Sequence, residues 1–128
     1  MQDAPVTVTA GDWDRLGMDA ARVRDAVFVR ELQIGSPLLS DEADRDAVHV
    51  VAYRLGDAVA AGRLLPDGAI GRLAVLGAAR RTGIGSLVLR ALIDHAVRRG
   101  DACVRLYAQR DAVPFYLHHG FATVGRPF

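Results

Sequence analysis

Lysine is absent from this chain, and all 16 of its basic residues are arginine. We interpret this bias as compositional, of the kind that a GC-rich genome produces. It leaves no lysine amine to be acetylated or to form a Schiff base. Cys103 is the only cysteine and the four histidines are scattered, which excludes a disulfide within the chain and a Cys/His zinc site. We therefore expect no metal.

Two further absences limit the class of protein. No uncharged apolar stretch approaches the roughly 18 to 20 residues of a membrane span, and the start of the chain lacks the basic and apolar segments of a signal peptide. The 16 basic and 15 acidic residues are intermingled and leave a net charge of +1, which argues against nucleic acid or an acidic membrane as a partner. This pattern is typical of a cytoplasmic protein.

The residues that are present suit one domain. The chain has 128 residues, of which 51% are hydrophobic, and it shows neither an internal repeat nor a low-complexity linker. A chain of this size buries roughly two-thirds of its unfolded surface, so a core can form without disulfides or a metal. We predict a single domain over residues 1–128.

The first half of the chain predicts a strand, a helix and a meander. A β-branched strand at residues 6–9 is followed by apolar residues at helical spacing from Asp12 to about residue 32. The acidic stretch 41–46 is interpreted as a solvated loop in preference to a substrate-facing one. Alternation of period two then predicts three consecutive antiparallel strands. They span residues 47–55, 58–65 and 70–76.

The second half predicts helices and strands in alternation. A helix over residues 84–99 leads to a strand at 102–108, and a helix over 112–119 leads to a last strand at 121–124. Because its connection is helical, strand 102–108 is expected to lie parallel to the strand before the helix. The predicted class is α/β (α+β), with a mixed sheet, an antiparallel N-terminal meander, a parallel strand pair at its centre and helices on both faces.

The turn before residue 84 carries the clearest chemical signal. A strand enters a helix there through an arginine- and glycine-rich turn, and the first turn of a helix offers unpaired N–H groups and the positive end of the dipole. Gly83 and Gly85 let the backbone approach an anion, while Arg80 and Arg81 add positive charge. We infer a phosphate-bearing cofactor.

Common nucleotide loops do not fit this turn. A Walker A loop needs a lysine, and a dinucleotide fingerprint needs a third glycine where Val88 stands. Residues 71–85, GRLAVLGAARRTGIG, instead resemble the Arg/Gln-x-x-Gly-x-Gly/Ala acetyl-CoA motif of the GNAT superfamily of N-acetyltransferases. Residues 109–121, QRDAVPFYLHHGF, resemble the later motif of that family. Further similarity to its ElaA-like branch lies at residues 27–31, 46–49 and 62–68, and the likeness spans roughly residues 13–125.

The resemblance implies acetyl-CoA as the co-substrate, bound where the parallel strands splay into a V-shaped cleft. The backbone of Leu73, Ala74 and Val75 would hold the pantetheine arm, with one N–H polarising the thioester carbonyl. Gln109 stands where the family often has an asparagine near the pantetheine. The diphosphate would lie on the turn and helix start, formed by Arg80, Arg81, Thr82, Gly83, Ile84, Gly85 and Ser86.

Tyr116 matches the usual general acid of the family. A primary amine attacks the thioester directly, and the phenol protonates the departing sulfur of CoA, a step worth about 10² to 10⁴ in rate. The alternative role for Tyr116 is that of an amphipathic aromatic packed beside Phe115 and Phe121. Both roles stay open on the sequence.

The general base is not assigned by the pattern. Many relatives carry a glutamate on the strand before the cofactor helix, but residues 70–76 contain no carboxylate, so deprotonation through water is one alternative. Glu31, Glu42 and His49 are the other candidates. His49 fits a hydrogen-bonded core histidine better and Glu31 a surface ion pair, so both are weak substrate-site candidates.

Three other reactive side chains receive structural interpretations. Cys103 lies in a predicted strand and is expected to be a small core residue, not an acyl-accepting nucleophile. His118 and His119 flank a helix end, where positive charge suits the dipole.

The end of the chain departs from the family pattern. Members of the family usually continue, beyond the position of Phe128, into one more strand, and that further strand is expected to be missing here. Either a homodimer partner then fills the gap or the acceptor side is altered. The favoured function is acetyl transfer from acetyl-CoA to an amine of a small molecule or peptide. The alternatives are a non-catalytic acyl-CoA binding or sensing module and a nucleotide-binding module unrelated to CoA.

Overall fold

The computed structural model describes residues 4–108 and 110–124. Its sheet is a four-stranded antiparallel one, with neighbours in chain order. The strands are β1 (Val6–Gly11), β2 (Val48–Arg54), β3 (Asp57–Leu64) and β4 (Ile70–Val75). The predicted meander is therefore confirmed, and β1 adds to its open edge by pairing with β2.

Within the described ranges, three α-helices accompany the sheet. They are α1 (Trp13–Arg24), which continues as a π-helix over Asp25–Glu31, then α2 (Ile84–Arg99) and α3 (Val113–His118). Short 3₁₀ turns lie at Ser36–Leu38, Glu42–Arg45, Gly77–Ala79 and Arg110–Ala112. No helix of the described residues combines the length and apolarity needed to cross a membrane.

The helix ends follow from local chemistry. The Asp12 side chain accepts a hydrogen bond of 3.0 Å from the Arg15 amide and so satisfies one of the free donors at the start of α1. Gly100 ends α2 in the left-handed region, at a φ of 90°, which glycine adopts without a Cβ clash. Both ends agree with the predicted helix boundaries.

The helices α1 and α2 pack on opposite faces of the sheet. Val51 faces α1 and packs with Leu16 and Val23, whereas Val50 faces the α2 side and packs with Leu92. All five side chains are buried. Because both faces of the sheet are buried, the sequence of β2 is a nearly continuous apolar run. Each fully buried aliphatic side chain contributes about 1.5–3 kcal/mol to the stability of the fold.

A bulge deforms β4 where it pairs with β3. Ala61 pairs with Ala74 and Arg63 with Gly71, so Arg72 and Leu73 together oppose Gly62. Arg72 has a φ of 51°, in the left-handed region that a non-glycine residue adopts at a cost.

The predicted strand at 102–108 is wrong, and the parallel pair is not formed as two strands. The segment touches β4 through one parallel bridge, between Ala69 and Arg105. The Arg105 amide donates to the Gly68 carbonyl at 3.0 Å, and the Ile70 amide donates to the Arg105 carbonyl at 2.8 Å. Beyond this bridge the two segments form opposite walls of a groove, so no ladder continues between them.

The last strand, predicted to begin at residues 121–124, is not formed over those residues, and its continuation lies outside the described residues. Its first residue, Phe121, instead closes the end of α3, because its amide donates to the Tyr116 carbonyl at 3.1 Å. Cys103, expected in the core, is exposed. Cys103 lies on the segment that forms no strand, so it is not buried within the sheet as expected.

Candidate active site

A groove of about 910 Å³ separates β4 from the segment that follows α2. Its walls also include the start of α2, the π-helix after α1 and the aromatic side of α3. Of the residues singled out in the sequence, those that line the groove are Leu73, Ala74, Val75, Arg80, Arg81, Gly83, Gly85, Ser86 and Tyr116. The fold thus brings residues from three separate segments to one surface.

Other predicted site residues do not line this groove. Thr82 lies in the turn, where its hydroxyl donates to the Ala79 carbonyl at 2.5 Å, and Ile84 is a buried core residue. Neither Glu31 nor His49 lines the groove. Gln109 lies outside the described residues.

The N-terminus of α2 is open toward the groove. Gly83 is its N-cap residue, with a φ of 83°, and no side chain of the described residues caps the helix. A Cβ at Gly83 would meet no atom within 4 Å, whereas one at Gly85 would lie 3.3 Å from Val75 Cγ2. The 16-residue helix therefore presents unpaired first-turn amides and its positive dipole end to any anion in the groove.

The groove-facing edge of β4 carries the second set of backbone groups. One edge of β4 pairs with β3, while the other makes the bridge to Arg105 and then faces the groove. An unpaired sheet edge offers N–H and C=O groups to an extended ligand.

Arg80 lies at the rim and is already paired. Its guanidinium donates to both carboxylate oxygens of Glu31, at 2.5 and 2.6 Å, and its Nε donates to the Val75 carbonyl at 3.1 Å. The hydrogen bond from Arg80 holds the pKa of the Glu31 carboxyl below its ordinary value. Glu31 is held by this ion pair and does not line the groove, so its placement does not favour the role of general base. The expected ion pair is present, with Arg80 as partner and not the adjacent Arg30, which pairs with Asp25.

Tyr116 projects from α3 into the apolar wall. Its ring makes edge contacts with Phe115 and Phe121, at centroid distances of 5.1 and 5.9 Å. Burial raises the pKa of the Tyr116 phenol. The hydroxyl consequently keeps its proton at neutral pH, as a general acid must before it reacts.

His119 ties α3 to the start of α2. Its Nδ1–H donates to the Phe115 carbonyl at 2.7 Å, and its Nε2 lies within hydrogen-bond distance of the Ser86 hydroxyl, at 2.8 Å. The sequence predicted only a favourable charge at a helix end. The bond to Ser86 joins residues 33 positions apart, and no local pattern signals it.

The acidic stretch 41–46 is not simply a solvated loop. Asp44 is 1% exposed and accepts two hydrogen bonds from Arg24, at 2.9 and 3.0 Å, and one of 2.9 Å from Arg63. Asp41 caps the 3₁₀ turn reciprocally with Asp44 and binds Arg63 at 2.6 and 3.1 Å. The three-residue spacing of the two aspartates is a capping-box signal that could have indicated an ordered turn.

His49 belongs to the same buried cluster. It is fully buried, and its Nε2–H donates to the Asp44 carbonyl at 2.9 Å. Burial lowers the pKa of His49, so the ring is neutral at neutral pH. The structure therefore agrees with a hydrogen-bonded core histidine and keeps His49 away from the groove wall. No group of three or more potential metal ligands occurs among the described residues.

Comparison with known proteins identifies the family. The family model for the GNAT acetyltransferase domain matches residues 26–128. The Bacillus subtilis protein described as the uncharacterized N-acetyltransferase YjcF is 37% identical over 109 residues, covering 83% of this chain and 78% of that protein. A second Bacillus subtilis acetyltransferase-like relative is 31% identical over 118 residues, covering 85% of this chain and 78% of that protein.

Solved structures agree with this match. An acyl-CoA N-acyltransferase from Pseudomonas aeruginosa is 27% identical, with a TM-score of 0.78 over 95% of this chain and 90% of that chain. Escherichia coli ElaA is 24% identical and shares the fold, with a TM-score of 0.84 over 95% of this chain and 90% of that chain. With the open helix start, the exposed strand edge and the family model in agreement, the chain belongs to the GNAT family of acetyltransferases.

Proposed function

We propose that the protein transfers an acetyl group from acetyl-CoA to the amine of a small molecule or peptide by direct attack. The observation that carries this proposal is the groove in which the start of α2, the free edge of β4 and Tyr116 meet. Each of the three suits a different part of the co-substrate, namely a diphosphate, an amide-containing arm and a thioester sulfur.

The chain's own groups divide the work as follows. The first-turn amides of α2, together with Arg81, bind the diphosphate, and the β4 edge orients the pantetheine arm with one N–H on the thioester carbonyl. Acetyl-CoA supplies the activated acetyl group. Tyr116 donates its phenolic proton to the leaving sulfur.

Water is the proposed route for removing the proton of the amine. No carboxylate and no histidine is found among the described residues that line the groove. Glu31 is held by Arg80, and His49 is buried in the charge cluster. The proton of the amine is therefore assigned to solvent in this proposal, and the acceptor is expected to react in its unprotonated form.

The variant Tyr116→Phe tests the assignment. Release of free thiol from acetyl-CoA with a panel of amines is expected to fall at least tenfold in turnover, because only the phenolic proton is lost, while CoA binding is unchanged. The matched control is Tyr53→Phe, which removes a phenol that donates to Asp19 and does not line the groove. An unchanged turnover number in Tyr116→Phe would remove the proposed role.

Thiol release and ligand-binding measurements together separate the alternatives. Binding of acetyl-CoA without amine-dependent thiol release would favour an acyl-CoA sensing module. Binding of ATP or NAD that desulfo-CoA does not displace would indicate a nucleotide site unrelated to CoA. Saturable binding of desulfo-CoA together with amine-dependent release supports the transferase.

A further inference from the structure

The bulge in β4 turns one arginine toward the groove. Arg72 lines the groove, and its side chain is 26% exposed. Its left-handed φ of 51° is a conformation that costs about 1 kcal/mol or more and is kept only where the surroundings impose it. A bulge of this kind redirects a side chain that the regular pleat would place elsewhere.

The charges around Arg72 do not balance. Arg24 and Arg63 already engage Asp44 and Asp41 through short hydrogen bonds, whereas Arg72 reaches Asp41 through a single longer one of 3.3 Å. With His49 neutral, three guanidinium groups face two carboxylates. Burial and the neighbouring cation of Arg63 lower the pKa of Arg72, which is the direction expected for a cation with too little negative charge nearby.

The rest of the groove does not supply the missing negative charge. Its charged lining among the described residues consists of arginines alone, Arg72, Arg80 and Arg81. Glu31 neutralises Arg80, and Arg81 lies in the turn that leads into α2. Arg72 precedes Val75, the last residue of β4, by three strand residues, which places it about 10 Å along β4 from the end of the strand that leads to that turn.

The part of the groove wall contributed by the π-helix and the loop after it is apolar. The π-helix and the loop after it contribute aliphatic and aromatic side chains, and Asp41, the carboxylate that Arg72 touches, belongs to the same loop. The apolar members are Val27, Phe28, Leu32, Ile34 and Leu38. A ligand in this part of the groove meets one cation and a hydrocarbon surface.

We propose that Arg72 determines acceptor specificity by binding an anionic group, so that the acceptor is a small amine that also carries a carboxylate or a phosphate. The inference rests on the proposed function and names the substrate class for that site. A guanidinium binds either anion through charge-assisted hydrogen bonds. Polyamines and other polycations are disfavoured, because none of the described residues that line the groove carries a carboxylate to receive them.

Paired acceptors test the substrate class. The pairs are L-leucine and L-phenylalanine with their amides, and O-phosphoethanolamine with ethanolamine, while spermidine represents polycations. With kcat/KM expressed per unprotonated amine, the anionic member of at least one pair is expected to be favoured roughly tenfold or more. The pair that responds tells carboxylate from phosphate. Equal or better rates for the neutral member of every pair, or a better rate for spermidine than for every anionic acceptor, overturn the proposal.

Variants test the residue. Arg72→Gln is expected to lower kcat/KM for the anionic acceptor roughly tenfold and to change that for its neutral analogue less than threefold, and Arg72→Lys is expected to restore part of the loss. Arg90→Gln, on the exposed side of α2, is the matched control. If Arg72→Gln lowers kcat/KM equally for both acceptors while thermal stability is unchanged, a role of Arg72 in specificity is contradicted.

A binding measurement keeps this inference distinguishable from the proposed function. Calorimetric titration of the CoA-bound protein with N-acetyl-L-leucine, N-acetyl-L-leucinamide and N-acetyl-phosphoethanolamine requires no turnover. Tighter binding of an anionic product, lost in Arg72→Gln, supports the inference. Binding of CoA with no preference for an anionic product overturns it and leaves the cofactor assignment intact, whereas failure to bind CoA at all overturns both.

Discussion

The side chains of this site differ in how clearly the sequence indicates them. Tyr116 stands inside a recognisable motif, and it reaches the groove wall. The neighbouring His119 carries no signal of its own, yet it contacts both the backbone of α3 and the first turn of α2. Its role depends on Ser86, a residue that only folding brings within 2.8 Å.

Replacing His119 is expected to weaken the coupling between these two helices. In His119→Ala the tie between Ser86 and α3 is lost, and one net hydrogen bond is worth about 0.5–1.5 kcal/mol. We expect KM for acetyl-CoA to rise and kcat to fall, together by about three- to tenfold in kcat/KM. Steady-state kinetics of thiol release measure both.

The adjacent histidine supplies the control. His118 is exposed and makes no bond to α2 among the described contacts, so His118→Ala is expected to leave both constants unchanged. Equal losses in the two variants would show that the end of α3, and not the bond to Ser86, matters.

At the scale of elements, the bulge between β3 and β4 shapes the site. Gly62 is opposed by two residues of β4, and α2 packs directly over it. A Cβ there would lie 2.9 Å from Leu92 Cδ1 and 3.2 Å from Leu73 Cδ1 and Val88 Cγ1. Because Leu92 and Val88 are fully buried, they have little room to move.

The substitution Gly62→Ala is therefore expected to destabilise the fold. Overpacking at this point costs about 1–3 kcal/mol in the free energy of unfolding. Gly71→Ala is the matched control on the paired strand, since a Cβ there meets no atom within 4 Å, and it is expected to change stability by less than about 0.5 kcal/mol. Urea titrations of both variants measure the difference, and equal midpoints would contradict the packing argument.

At the scale of the whole molecule, a buried charge cluster joins distant parts of the chain. Arg24 of α1, Asp44 of the loop, His49 of β2 and Arg63 of β3 meet in a space that solvent barely reaches. Burial raises the pKa of Asp44, but the hydrogen bonds from Arg24, the Asp41 amide and Arg63 outweigh it and lower the pKa from 3.8 to about 2.

This cluster predicts loss of stability in acid. A carboxyl with a lowered folded pKa contributes stability that is complete above its unfolded value and is lost as the pH falls from about 4 toward 2, here about 2 kcal/mol for Asp44. His49, whose pKa is lowered from 6.5, adds a loss that begins below that pH, since its protonation favours the unfolded chain. Urea unfolding between pH 7 and pH 2 measures both.

Two aspartate variants separate the contribution of this cluster to acid-induced unfolding from the contribution of other carboxylates. Asp44→Asn is expected to lower stability at neutral pH by about 3–5 kcal/mol, because it leaves buried guanidinium groups short of a carboxylate, and to flatten the decline below pH 4. Asp67→Asn, which removes an exposed partner of Arg105, is expected to retain that decline. A decline of the same size in Asp44→Asn would show that other carboxylates carry it.

Local periodicity, glycine positions and two short motifs were enough to predict the α1 and α2 helices, the meander and the turn that leads into α2, because neighbouring residues and the backbone itself decide those features. The missing strand at 102–108, the exposed Cys103 and the buried Asp44 could not be predicted in that way. Each depends on what lies across the molecule, since a strand needs a partner edge and a buried carboxylate needs guanidinium groups from other elements. The groove exists because β4 and residues 106–108 stay apart, and that separation is a property of packed elements, not of any one segment.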